Sequence, residues 1–275
     1  MNQNGMTLVV GGTGKTGRRV VERLQRLGLP YRVGSRTAQP AFDWEDRATW
    51  SAALDGIAKA YVTYYPDLAV PGAAEKVQAF FAQAIDAGVK KLVLLSGRGE
   101  AEAQHAEEIL KACDVDWTIL RCSFFSQNFS ENFFLDPILA GEVALPVPRV
   151  GEPFVDVEDV ADVAVAALTQ PGHSRQLYEL TGPRALTFAD AIGEIAYRTG
   201  RDIRYLSITA DEYRAAMLEA QVPGDIIDLV LYLFDTVLDG RNTPTADGVQ
   251  RSLGRAPSDF TEYVQRTAAT GVWGD

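Results

Sequence analysis

Cysteine is almost missing from this 275-residue chain. Cys113 and Cys122 are the only two, and their spacing fits neither a metal knuckle nor a redox pair, so no metal is expected. Such sparse thiols suit a reducing compartment, and a cytoplasmic location follows as the expectation. Positive charge is also short. The formal net charge is −11 and the pI about 4.8, the opposite of the basic stripe that a nucleic-acid partner requires. No lysine occurs after Lys111, and we find no physical reason for that. Long apolar runs are missing too: none reaches the length of a bilayer span, and Met6 to Val10 is too short for a signal-peptide core. Nucleic acid and membrane are therefore excluded as expected partners. With 47% apolar residues, the chain can still bury a sizeable core.

What is present begins at Thr7. A buried apolar run, Leu8 to Val10, meets glycines at Gly11, Gly14 and Gly17, and the pattern then turns helical through Val20, Val21, Leu24 and Leu27. Strand, glycine turn and helix form the context of a dinucleotide fingerprint. Gly11 and Gly14 permit a tight turn, and Gly17 lets helix and strand approach. The helix start offers N–H groups and partial positive charge to a pyrophosphate. Gly14-Lys15-Thr16 also suggests a phosphate loop of the ATPase kind, but that motif needs glycine where Val9 stands. The G-x-x-G-x-x-G spacing is the short-chain dehydrogenase form.

Further along, strands are expected at Tyr31–Ser35, Ala41–Trp44, Ala60–Tyr65, Val89–Ser96 and Asp116–Cys122, with helices between them. This alternation predicts an α/β fold, a doubly wound parallel Rossmann sheet with right-handed crossovers. Residues 1–150 form the expected nucleotide domain, with the sheet completed from 151–182. Residues 183–275 form a small, mostly helical C-terminal lobe that closes in an irregular tail. Pro153–Val157 and Tyr178–Thr181 are expected strands. Thr187 with Asp190, and Thr209 with Glu212, have the spacing of capping boxes.

Ligand sites in such sheets follow the strand ends, so the cofactor is expected across the first strand and the one at Ala60–Tyr65. Its candidate residues are Gly11, Thr13, Gly14, Lys15, Thr16, Gly17, Ser35, Arg36, Asp43, Tyr65, Pro66 and Ser96. The second strand ends Gly34-Ser35-Arg36, without the acid that holds the ribose hydroxyls of NAD. Arg36, aided by Ser35 and Lys15, suits a 2′-phosphate, which makes NADP(H) the expected cofactor over NAD(H). The other reading of Arg36 is a solvated surface side chain.

Four segments carry a resemblance: Gly11–Gly17, Val89–Ser96, Asp116–Arg121 with Asn128-Phe129, and Pro153–Ala161. In that order they resemble the NmrA-like branch of the atypical short-chain dehydrogenases. Phe42-Asp43-Trp44 and Ser126–Glu131 are most similar to the festuclavine dehydrogenase type of ergot-alkaloid reductases. The resemblance implies imine or quinone reduction with a nicotinamide cofactor, or else NADP(H) sensing through a protein partner without turnover.

The chain departs from the wider superfamily at the catalytic centre. None of its ten tyrosines has lysine four positions on, which rules out the usual proton donor at its usual place. Two other groups are candidates. His105 lies on the helix that carries that tyrosine elsewhere, and Ser96 ends a strand, where it could bond the nicotinamide carboxamide or the substrate, with a satisfied strand end as the alternative. Gln104, Glu107 and Glu108 make a plain exposed face the alternative for His105. Phe124, Phe125, Asn128, Phe129 and Phe154 are candidate walls of a substrate pocket, with core packing as the alternative. A small flat electrophile is the expected substrate, and both monomer and homodimer remain open.

Overall fold

A computed structural model describes residues 5–274. The chain opens with β1 (Met6–Val10), α1 (Lys15–Arg26), β2 (Tyr31–Gly34), α2 (Ala48–Leu54) and β3 (Ile57–Val62). It continues through α3 (Ala73–Asp86), β4 (Lys91–Gly97), α4 (Ala101–Ala112) and β5 (Asp116–Cys122). Next come α5 (Asn128–Glu131), α6 (Leu135–Ala140), β6 (Glu142–Leu145), α7 (Val157–Thr169) and β7 (Gln176–Leu180). The remainder holds α8 (Phe188–Thr199), β8 (Arg204–Ser207), α9 (Ala210–Glu219) and α10 (Gly224–Tyr232), which runs into a π-helical turn at Leu233–Val237. α11 (Gly248–Leu253) and α12 (Phe260–Ala268) finish the chain.

Two compact units result, and they interleave in sequence. The first holds residues 1–122, 157–180 and 247–255; the second holds 123–156, 181–246 and 256–275. The boundaries thus depart from the expected cuts at 150 and 183. Residues 123–156 pack on the second unit's aromatic core, whereas α11 returns to the first.

The first unit is a six-stranded parallel sheet of order β2-β1-β3-β4-β5-β7. Its strands are apolar on both faces because helices cover both. Leu8, Val10, Ala60, Val62, Leu92 and Leu94 face a core with Val77, Phe80 and Phe81 of α3 and Ala106 and Leu110 of α4. On α1, Arg19 and Arg23 pair with Glu158 and Asp162 of α7 at 2.5–2.8 Å. α11 approaches β7 because its first residue is glycine: a Cβ on Gly248 would fall 2.1 Å from the Glu179 carbonyl oxygen. The expected irregular tail is therefore wrong, and α12 shows why. Its capping box uses Asp259 with Glu262, an N-cap other than threonine.

Ala41–Trp44 is not a strand. Phe42 and Trp44 are buried and Asp43 is half-buried, which imitates strand alternation. The backbone of Asp43, however, bonds to side chains: its N–H donates to Thr49 Oγ1 at 3.0 Å, and its carbonyl accepts from Trp50 Nε1 at 2.7 Å. An aromatic cluster of Phe42, Trp44, Trp50 and Phe80 fixes the loop instead of sheet pairing.

In the second unit, β6 and β8 form a small parallel pair that the sequence pattern did not suggest. Pro153–Val157 makes only an isolated bridge, Phe125 to Val155, and not a strand. Both threonine capping boxes are formed, at the starts of α8 and α9.

Candidate active site

The chain runs from β1 to β2 on one side of the sheet and crosses to β3 on the other, which opens a crevice at the carboxyl ends of β1 and β3. Thr63, one residue past β3, ties that edge together: its hydroxyl donates to the Val10 carbonyl at 3.1 Å.

Between β1 and α1 the glycines are required by contact. Gly11 has φ +70°, and a Cβ there would sit 2.2 Å from Thr63 Oγ1. A Cβ on Gly17 would sit 2.2 Å from the Gly11 carbonyl oxygen. Gly12 is just as constrained, with a Cβ 2.9 Å from the Val9 carbonyl. That third constraint escaped the sequence reading because Gly12 lies outside the triplet spacing. The Gly14 N–H closes the turn onto the Gly11 carbonyl at 2.9 Å.

α1 then starts with Gly14 as N-cap, with no side-chain cap and no acid in its first turn. α8, α9 and α12 all carry side-chain caps. Leading N–H groups without a capping oxygen, at the positive end of a twelve-residue helix, suit a pyrophosphate. The loop thus fits a dinucleotide on its own geometry.

At the end of β2, Arg36 is exposed and Ser35 half-buried. Gly34 is buried, and a Cβ there would meet the Val10 Cα at 3.1 Å. Asp43 is half-buried, and its Oδ1 accepts from the Glu45 N–H at 3.0 Å. Tyr65 is 74% exposed and Pro66 is exposed, on the loop that leaves β3. The expected cofactor residues therefore gather at the carboxyl edge of one sheet.

Ser96 is buried at the end of β4. Its hydroxyl donates to Glu107 Oε1 at 2.6 Å. Glu107 is fully buried and also takes both branches of the Arg121 guanidinium, with Nε at 2.9 Å. Arg121 reaches on to Glu179 at 2.9 Å, and Arg98 meets Glu179 at 3.3 Å. So Glu107 is not part of an exposed face with Gln104 and Glu108, as the helix spacing suggested. His105 is exposed among the outward residues of α4.

Two further carboxyls stand at this edge, and the sequence reading missed both. Asp67 lies on the loop after β3, and Glu100 precedes α4. The two carboxyls stand close enough to act on each other. Burial pushes both up from the ordinary carboxylate range, and the Asp67 charge pushes Glu100 further. Only the loops after neighbouring parallel strands bring them together, so no local pattern reveals them.

In the second unit, Phe129 and Phe154 are buried in an aromatic core with Phe134, Phe188 and Phe260. Phe124, Phe125 and Asn128 keep partial exposure. Among the described residues no His, Cys, Asp or Glu group is arranged to hold a metal, and no helix is long and apolar enough to cross a membrane.

A Rossmann-type sheet with a glycine-lined, uncapped helix start defines the dinucleotide-binding class of α/β proteins. Comparison with known proteins narrows the class. The chain is 30% identical to an NAD(P)H azoreductase of Xenophilus azovorans over 286 residues, covering 96% of this chain and 98% of that one. It is 30% identical to an agroclavine dehydrogenase of Claviceps fusiformis over 275 residues, covering 94% and 95%. The structure is similar to an NADPH-dependent quinone oxidoreductase from Escherichia coli, with TM-score 0.80, 20% identity and coverage of 95% and 99%. It is also similar to the Citrobacter triphenylmethane reductase complexed with NADP(H), with TM-score 0.75, 18% identity and coverage of 96% and 99%. No family profile matches the chain. The chain belongs to the NmrA-like, atypical short-chain dehydrogenase family of NAD(P)H-dependent oxidoreductases, alongside the clavine dehydrogenases and NAD(P)H azoreductase.

Proposed function

We propose that the protein is an NADPH-dependent reductase of a small flat electrophile, an imine, iminium or quinone. The observation that carries this reading is the uncapped, acid-free start of α1 behind a turn where Gly11, Gly12 and Gly17 leave no room for a Cβ. A nicotinamide cofactor held by its pyrophosphate at this helix start would supply the hydride.

The chain's own residues do the rest. Gly11 to Gly17 hold the pyrophosphate, with Thr13, Lys15 and Thr16 at the helix entry. Arg36 and Ser35 meet the 2′-phosphate, which sets the preference for NADP(H) over NAD(H). Asp43, Tyr65 and Pro66 line the crevice at the strand ends. Phe124, Phe125 and Asn128 keep the partial exposure that contact with an acceptor needs. Two relatives, an NAD(P)H azoreductase and an agroclavine dehydrogenase, support a nicotinamide-linked redox reaction on a small organic molecule. Flat electrophiles take hydride readily once oriented, so positioning supplies much of the rate.

The test is NADPH oxidation by purified protein against quinones, cyclic imines and N-alkylated iminium salts. Saturable turnover in this panel is the expected result. NADPH binding with no turnover on any acceptor would overturn the reading in favour of a cofactor sensor.

A further inference from the structure

The tyrosine and lysine that donate the proton in the wider superfamily are missing from their usual place in this chain, yet reduction of a neutral imine or quinone needs a proton as well as a hydride. Asp67 and Glu100 are placed to provide one. Glu100 is 8% exposed, and its Oε2 is buried with no hydrogen-bond partner. A charged carboxylate with a bare buried oxygen is costly, whereas a neutral carboxyl is not. Its seat is specific. A Cβ on Gly97 would fall 2.0 Å from the Glu100 carboxyl atoms, so glycine at the end of β4 is what lets the carboxyl lie against the strand.

Asp67 is the more exposed partner, and its Oδ1 accepts from the Ala69 N–H at 2.9 Å. Two neighbouring carboxyls shielded from water resist double ionisation, because each charge disfavours the other, and this favours one proton held between them. The charged groups bearing on Glu100 are Asp67, Glu102 and Glu107, all acidic, and Cys122 is the neighbouring thiol. Glu107 is neutralised by Arg121. Both carboxyls stand on loops at the carboxyl ends of β3 and β4, the edge where the fold opens its ligand crevice.

We propose that Asp67 and Glu100 share one proton and act as the general acid of the reduction, in place of the absent tyrosine and lysine. The inference rests on the reductase reading above. Hydride adds to the acceptor carbon and the π pair of the C=N or C=O bond moves to the heteroatom. That atom takes the proton from Asp67, and a new N–H or O–H bond forms. The oxidised cofactor leaves, and water returns a proton to the pair. An N-alkylated iminium needs no proton, because the π pair only cancels its positive charge.

That difference supplies the test. In Glu100→Gln and Asp67→Asn, the ratio of kcat on a neutral cyclic imine to kcat on its N-methyl iminium salt is expected to fall tenfold or more. This fits the 10²- to 10⁴-fold range of general acid catalysis. A positioning or folding defect would lower both rates and leave the ratio unchanged, and an unchanged ratio overturns the proposal. A second readout needs no cofactor. Infrared spectra of the cofactor-free protein at neutral pH should show a protonated carboxyl C=O band that both variants lose. Absence of the band in the wild type also overturns the proposal. If no acceptor is turned over at all, the reductase reading falls and the acid role with it, while the band still reports whether the pair is protonated.

Discussion

The Ser96 hydroxyl donates to the Glu107 carboxylate at 2.6 Å, inside the first unit and out of reach of solvent. The proton of a serine at a strand end, a natural candidate for the substrate site, is thus already committed. Glu107 in turn is held by the Arg121 guanidinium through both oxygens. Ser96 can still accept a hydrogen bond, but its geometry is that of a member of a buried ion-pair network.

Glu107→Gln should therefore cost more than Ser96→Ala. Losing the carboxylate leaves Arg121 poorly compensated, at about 3 kcal/mol, the low end for breaking a buried pair because Glu179 remains. Losing the serine hydroxyl costs about 1 kcal/mol, one hydrogen bond. Urea unfolding of both variants checks the order, and equal costs would mean that the network does not discriminate between them.

Arg36→Ala should weaken NADP(H) binding by roughly ten- to a hundredfold, the size of a charge-assisted pair, and leave NAD(H) nearly unchanged. The reciprocal change belongs at Ser35. An acid at Gly34 would press on the backbone of β1, with its Cβ 3.1 Å from the Val10 Cα, so Ser35→Asp is the variant expected to move preference toward NAD(H). Isothermal titration of both cofactors decides it. Equal losses for NADPH and NADH in Arg36→Ala would remove the 2′-phosphate role.

Gly14→Asp separates stability from binding. The backbone at Gly14 is extended, with φ −79° and ψ −179°, a conformation open to any residue. A Cβ there would sit 3.2 Å from the Gly11 carbonyl oxygen, so the tight contact offsets the cap that aspartate adds to α1, and stability should change by no more than a few tenths of a kcal/mol. The same carboxylate repels a pyrophosphate, so NADPH affinity should fall by roughly tenfold or more. Thermal unfolding and cofactor titration on one sample give both numbers. Unchanged affinity would place the pyrophosphate elsewhere.

In the second unit, Arg184 donates to both oxygens of Asp259 at 2.8 and 2.9 Å. The guanidinium holds the Asp259 carboxyl down to about 2. A depressed folded-state value stabilises above the unfolded value, about 3.9, and the benefit disappears as pH falls toward 2. Arg184→Met should cost about 1 kcal/mol at pH 7, discounted for partial exposure, and the cost should shrink as pH falls from about 4 through 2. Unfolding midpoints across that window test the sign.

Much of this was legible locally. The turn at Gly11–Gly17, the alternation of β and α, and the capping boxes at Thr187 and Thr209 depend on residues within a turn or two of each other. Ala41–Trp44 misled because aromatic burial reproduced the period of a strand without its pairing. His105 and Glu107 misled in the opposite sense, since two charged helix residues looked alike and only one turned inward.

The sequence by itself determined the parallel sheet and the helix start that suits a dinucleotide, since short-range spacing and the lack of a Cβ decide both. Tertiary structure decided what each acid does. Glu107 became a buried ion-pair partner because Arg121 and Ser96 arrive beside it on β5 and β4. Asp67 and Glu100 became a proton-holding pair because loops after β3 and β4 bring them together, with Gly97 leaving the space. The fate of a carboxyl depends on the charges and solvent around it, and folding alone assembles those.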